Sequence, residues 1–144
     1  MSDLDTLIRL HRWQLDEKRR ALADLQALAD RLIAEATRLD EEVAGESAFA
    51  AASEMPPPTF PAYLKASKVR RGRLAESLAQ ARAQMAAVGE EIAEAYQELK
   101  KYELAQAGRE RRAEHSARRA ETATYDEIAA IGHIRRRAAA AGGR

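Results

Sequence analysis

Residues 45–61 read Gly-Glu-Ser-Ala-Phe-Ala-Ala-Ala-Ser-Glu-Met-Pro-Pro-Pro-Thr-Phe-Pro and contain all four prolines of the chain. Proline lacks a backbone N–H and clashes with the preceding helical turn, so no helix can run through residues 56–58. The sequence on both sides of this break is helical and carries a sustained apolar seam. Two long helices joined by one break can bury their seams by folding back on each other. We therefore predict an all-α fold, an antiparallel two-helix coiled-coil hairpin with a longer second helix.

The composition favours a helical protein with a linear seam over one with a spherical core. Of the 144 residues, 33% are charged and 5% are aromatic, which is typical of long helices and coiled coils. A net charge of +1 gives no global field that would attract nucleic acid or a membrane surface. The absence of cysteine excludes disulfides and thiolate chemistry and fits a reducing cytoplasm. We expect one domain over residues 1–144, without a signal peptide or a membrane span.

The first helix is predicted over residues 3–44, with Gly45 as its C-terminal stop. Its seam advances in alternating steps of four and three residues, the 3.5-residue period of coiled coils. Ten of the twelve seam positions are apolar, and His11 and Lys18 are the exceptions. The seam consists of Leu4, Ile8, His11, Leu15, Lys18, Leu22, Leu25, Ala29, Leu32, Ala36, Leu39 and Val43.

The second helix is predicted over residues 61–137, after a loop at 45–60 and before a frayed tail at 138–144. Pro61 suits the first helical position, where its missing N–H costs nothing. Ten of twelve seam positions are again apolar. They are Leu64, Ser67, Arg71, Leu74, Leu78, Ala81, Met85, Val88, Ile92, Ala95, Leu99 and Tyr102.

The predicted helices differ in length. If the hairpin closes around the break, Val43 lies near Leu64 and Leu4 lies near Tyr102. The residues after Gln106 then have no partner within the chain, although a weaker alanine-rich stripe continues to Ile128 and beyond. Because an isolated helix is marginal in water, this part of the chain is expected either to fray or to dock on a partner.

No residue constellation indicates catalysis, a cofactor or a metal. The three histidines have no carboxylates arranged around a pair of them, and adjacent glutamates resemble solvated helix surface. The glycines do not form a phosphate-binding loop. The sequence predicts no enzymatic activity, no cofactor and no metal site.

Several exposed positions are candidates for binding another protein. Trp13 falls on the most exposed heptad position, and tryptophan is enriched among interface anchors, although it can equally lie over the stems of Arg9 and Glu17. A basic run beside the break either pairs with acidic residues of the first helix, at 40–42, or docks an acidic partner. The arginines after Gln106 are interleaved with glutamates, which disfavours nucleic acid. The candidates are Trp13, Tyr63, Lys65, Lys68, Arg70, Arg109, Arg112, Arg119 and Ile128.

The order of these features resembles the FliJ family of the bacterial flagellar type III export apparatus. A leucine-seamed helix and a break precede Tyr63-Leu64. Glu-Leu-Lys-Lys-Tyr-Glu follows at 98–103, then an arginine/glutamate stretch, then Tyr-Asp-Glu-Ile-Ala at 125–129. The resemblance covers most of the chain, and the Lys-Lys-x-Glu and Asp-Glu-Ile-Ala stretches are its most specific parts. The triple proline departs from the family pattern.

The resemblance implies a non-enzymatic cytoplasmic stalk similar to the central shaft of rotary ATPases. Its implied partners are the export ATPase and its stator, the export gate protein and export chaperones. It implies no nucleic acid, and a location at the cytoplasmic face of the inner membrane through these partners only. The alternative is a generic coiled-coil adaptor or scaffold, for example a homodimer paired through the residues after Gln106.

Overall fold

A computed structural model describes residues 2–143 of the chain. Two helices account for 94% of these residues and pack against each other as an all-α helical hairpin, and residues 2–143 contain no strand. Helix α1 spans Asp3–Ala52 and helix α2 spans Phe60–Gly142. The predicted fold class is confirmed, and the second helix is the longer one.

Helix α1 begins with a capping box. The Asp5 backbone N–H donates to Ser2 Oγ at 3.2 Å, and the Ser2 backbone N–H donates to Asp5 Oδ2 at 3.2 Å. These reciprocal bonds satisfy backbone donors that a helix start leaves without intrahelical partners. Asp5 also accepts a hydrogen bond from Gln106 Nε2, so the same carboxylate joins the start of α1 to α2.

Helix α1 extends past the end predicted at Gly45 and stops at Ala52 instead. The seam continues beyond Val43 to Ser47, which is half-buried, and Ala50, which is buried. Burial of this extra turn offsets the cost of glycine in a helix interior, about 1 kcal/mol relative to alanine. The predicted loop at 45–60 is therefore shorter and is confined to residues 53–59.

Helix α2 begins at Phe60, one residue before the proline predicted to open it. The Tyr63 N–H donates to the carbonyl of Thr59 at 3.0 Å, and the Phe60 N–H donates to the carbonyl of Pro57 at 3.0 Å. The helix continues through the predicted frayed tail as far as Gly142. Arg144, the last residue of that tail, lies outside the described residues.

The chain divides into two compact units, which we describe separately. The central unit is Arg9–Glu98, and the terminal unit joins residues 2–8 with residues 99–143. The prediction of a single hairpin domain over 1–144 stays a prediction.

The two helices of the central unit run antiparallel. Lys18 Nζ lies 3.2 Å from Glu91 Oε2, and Asp40 Oδ1 lies 3.0 Å from Arg71 Nε. A later residue of α1 therefore pairs with an earlier residue of α2. Both ion pairs are largely exposed and each contributes little free energy. The stability of the unit comes mainly from its seam, in which the buried apolar residues are Leu15, Ala29, Ala36, Leu39, Ala50 and Ala81.

The predicted seam of α1 is confirmed by burial, because all twelve of its positions are buried or half-buried. In α2 the same holds for ten of the twelve predicted positions. The exceptions are Leu64, which is 36% exposed, and Arg71, whose guanidinium turns to Asp40. The seam is therefore least closed beside the break.

The terminal unit is packed only along part of its length. Leu4, Ile8 and Leu99 are buried, and Tyr102 and Gln106 are half-buried. Beyond Gly108 every described residue except Gly132 is exposed. We call residues 109–143 the C-terminal segment; α1 supplies no cover for its apolar residues.

Candidate protein-binding surfaces

An open apolar groove lies beside the break, where the α2 seam carries two polar residues in succession, Ser67 and Arg71. A cavity of about 590 Å³ opens there, with Leu39, Val43 and Leu64 among its lining residues. A small hydroxyl and a guanidinium that turns to Asp40 cannot fill the space that a pair of leucines would occupy. We call this cavity the break-end groove. The sequence interpretation missed it, although the two polar seam positions were the available signal.

The basic run beside this groove is only partly neutralised. Arg71 pairs with Asp40, as the solvated-face interpretation predicts, and Arg70 Nη2 lies 3.6 Å from Glu35 Oε1. Lys65 and Lys68 line the groove and form no ion pair within residues 2–143. Two cationic side chains therefore remain at the rim of an apolar groove.

Tyr63 lies near the start of α2 and stacks on Phe60. Its ring centroid lies 6.4 Å from that of Phe60, with 28° between the ring planes. The Tyr63 hydroxyl is buried and has no hydrogen-bond partner among the described residues. A buried hydroxyl without a hydrogen-bond partner loses its contact with water and gains nothing in return. The Tyr63 hydroxyl therefore lowers the free energy of unfolding of the isolated chain.

We expect Tyr63→Phe to stabilise the isolated protein by about 1 kcal/mol, because it removes a buried hydroxyl whose desolvation is uncompensated. Thermal and urea unfolding of both proteins would measure the change. Tyr102→Phe is a suitable comparison, because the Tyr102 hydroxyl is not among the buried polar atoms that lack a partner within the described residues, and its variant should gain no stability. A loss of stability in Tyr63→Phe would contradict the prediction.

Trp13 lies on the exposed side of α1, as its heptad position predicts. Its side chain is 61% exposed, and Leu10 on the same helix is 46% exposed. A large apolar side chain left in water is the kind of residue that anchors protein interfaces. Its role as a contact stays a prediction.

The C-terminal segment is helical and carries its arginines on the surface. Arg118 pairs with Glu114, at 3.5 Å. Arg112 and Arg119 form no ion pair among the described residues, and both lie exposed on one face of this helical stretch. Ile128 is 60% exposed. These three candidates therefore occur on one accessible helical stretch.

Arg109 occupies a different setting from the other candidate arginines. It lines a cavity of about 540 Å³ together with Ser2, Asp3, Leu4 and Leu7, at the start of α1. Its substitution would change the surroundings of the α1 cap as well as the surface charge. Arg109 is thus a poor probe of binding alone.

The described residues hold no arrangement suited to metal binding. Within residues 2–143 no group of three or more His, Asp or Glu side chains could hold a metal ion. Neither helix contains, in its described part, an apolar stretch long enough to cross a bilayer. What the chain presents are accessible helical surfaces, one beside the break and one on the C-terminal segment.

These features define a helical-hairpin protein whose accessible surfaces suit contacts with other proteins. The family model described as Flagellar FliJ protein matches residues 1–138. The chain therefore belongs to the FliJ family and is a component of the flagellar export apparatus. Comparisons with curated proteins and with solved structures gave no significant match. The resemblance drawn from the residue pattern is confirmed, and FliJ proteins, as export stalk or chaperone proteins, are not known as enzymes.

Proposed function

We propose that this protein is the stalk component of the flagellar export apparatus and that its C-terminal segment docks into the ring of the export ATPase. The observation that carries this proposal is a helical stretch, 109–131, in which every residue is exposed. Arg112 and Arg119, which form no ion pair with any other described residue, can bind carboxylates of a surrounding ring, because the planar guanidinium holds such contacts in fixed geometry. The role is non-enzymatic: the segment couples the ATPase to the rest of the apparatus.

The break end of the hairpin is proposed to contact the export gate protein and export chaperones. Lys65 and Lys68 at the rim of the break-end groove suit an acidic partner with an apolar side chain. Tyr63 and Arg70, on the same stretch of α2, are further candidate contacts. Trp13 is a further candidate contact. Binding to the ATPase, its stator and the gate would hold the protein at the cytoplasmic face of the inner membrane without a membrane segment of its own.

Truncation tests the docking end. A chain that ends at Gly108 keeps the buried residues of both units and the Asp5–Gln106 hydrogen bond, so its thermal melt should resemble that of the full chain. It should no longer be retained by the cognate export ATPase in a pull-down, and it should not stimulate ATP hydrolysis. A truncated chain that binds and stimulates normally would exclude the C-terminal segment and leave the break-end groove as the candidate.

A further inference from the structure

The C-terminal segment carries an apolar stripe that α1 does not cover. Its residues recur every three or four positions, which places them on one helix face. Within the terminal unit this stripe follows the covered seam positions Leu99, Tyr102 and Gln106 along the same helix. All of its members are exposed. They are Ala113, Ala117, Ala120, Thr124, Ile128 and Ile131.

The stripe is asymmetric in side-chain size. Its first half contains only alanine, and its second half contains threonine and two isoleucines. If two copies of the segment pair antiparallel, Ala113 faces Ile131 and Ala117 faces Ile128. Ala120 then faces Thr124. Each layer combines a small residue with a larger one, which is how facing helices fill the space between them.

A parallel pair of segments would pack poorly by the same reasoning. Alanine would face alanine in one half and leave gaps, while isoleucine would crowd isoleucine in the other half. Small residues of one copy therefore face larger residues of the other only when the two segments run antiparallel. That arrangement has a two-fold axis perpendicular to the helices, as in an isologous dimer.

We propose that this stripe is a homodimer interface, in which the C-terminal segments of two copies pair antiparallel. The occupant of the uncovered face is a second copy of this chain. Because the interface uses the segment that we propose docks into the ATPase ring, dimerisation would hide the docking end from the ATPase. That consequence rests on the proposed function, whereas the dimer itself does not.

Charges at the edge of the stripe agree with this register but keep the dimer weak. Glu110 of one copy lies opposite Arg135 of the other, in the register that sets Ala117 against Ile128. Glu121 borders the stripe close to the two-fold axis, where two like charges approach each other and oppose association. The dimer is therefore expected to dissociate on dilution.

Sedimentation equilibrium of the full chain over a wide concentration range tests the proposal. The average mass should rise from 15.9 kDa toward twice that value. Ile128→Asp should weaken association by at least about tenfold, because a charge replaces a buried isoleucine in two layers of the dimer. Ala129→Asp is the matched control, since it adds the same charge on the opposite helix face and should not weaken the dimer. Glu121→Gln should tighten it.

Cross-linking tests the antiparallel register, and the absence of native cysteine makes it unambiguous. Ala117 and Ile128 lie about 16 Å apart along one helix at 1.5 Å per residue, beyond the reach of a disulfide. A mixture of the Ala117→Cys and Ile128→Cys chains should form cross-linked pairs, whereas neither variant should do so alone. Cross-links within each single variant would indicate parallel pairing and overturn the proposal.

Failure of this inference can be separated from failure of the proposed function. A full chain that stays monomeric at every concentration overturns the dimer, even if truncation at Gly108 abolishes ATPase binding. A concentration-dependent dimer that Ile128→Asp dissociates supports it, whether or not the ATPase is bound. Where both hold, raising the concentration of the full chain should lower the fraction of it that the ATPase retains, because dimers hide the docking segment.

Discussion

Replacing Arg112 and Arg119 together by glutamate is expected to abolish retention of the protein by the export ATPase. Both guanidinium groups are exposed, form no ion pair within the described residues and lie on the same helix face of the C-terminal segment. The double substitution changes the local charge by four units and would place carboxylates against the acidic groups that we propose line the ring. Attraction would become repulsion.

The effect should grow as ionic strength falls. Exposed charges interact over about 10 Å at 0.1 M salt and over longer distances in more dilute salt, so repulsion by the new glutamates is then less screened. Binding of the original chain should show the opposite trend and strengthen at low salt. A salt series of the pull-down and of the ATPase assay would measure both trends.

A second double variant provides the matched control. Arg73→Glu with Arg82→Glu makes the same charge change on exposed positions of α2 in the central unit. It should bind the ATPase normally, and both double variants should keep the thermal melt of the original chain. If the Arg112/Arg119 variant still binds, or if the control loses binding equally, the C-terminal segment is not the specific docking end.

Leu15→Ala is expected to destabilise the hairpin by about 2–5 kcal/mol, the largest stability effect that we predict for a single side chain. The side chain is 3% exposed and lies in the seam of the central unit. Its truncation loses the transfer free energy of the removed atoms and leaves a cavity that the two packed helices fill only partly. In a chain of this length the melting temperature should fall by roughly 5–15 °C.

Two further leucines turn this prediction into a ranked series. Leu25 is half-buried at another seam position, and Leu104 is 67% exposed. Substitution by alanine should lower the free energy of unfolding most at Leu15 and less at Leu25. At Leu104 the change should be smaller than about 0.5 kcal/mol. Circular dichroism melts would give the order. Equal losses at all three positions would contradict the assigned seam.

Much of the fold follows from local sequence pattern. The apolar period specifies which residues α1 buries, and all twelve predicted positions are buried or half-buried. The prolines specify where the chain must leave the helix, since no helix can continue through 56–58. The flagellar family also followed from the order of short motifs, and its model matches residues 1–138.

Helix boundaries depended on packing that local pattern does not contain. Gly45 is a reasonable helix stop in isolation, but Ser47 and Ala50 lie against the other helix and their burial carries α1 to Ala52. The capping box of Ser2 and Asp5 was open to prediction from spacing, whereas the hydrogen bond from Gln106 to Asp5 joins residues far apart in the chain.

The candidate surfaces divide in the same way. Sequence by itself determined that Trp13 is exposed and that the arginines after Gln106 have no facing residues in the first helix. The first conclusion depends only on the helical period, and the second only on the lengths of the two helices. Only the tertiary structure decided that Arg70 and Arg71 form ion pairs while Lys65 and Lys68 form none within residues 2–143, since ion pairing depends on which α1 carboxylates come within reach. It also decided that an apolar groove opens beside them, because a cavity is a property of two facing helices and not of either one alone.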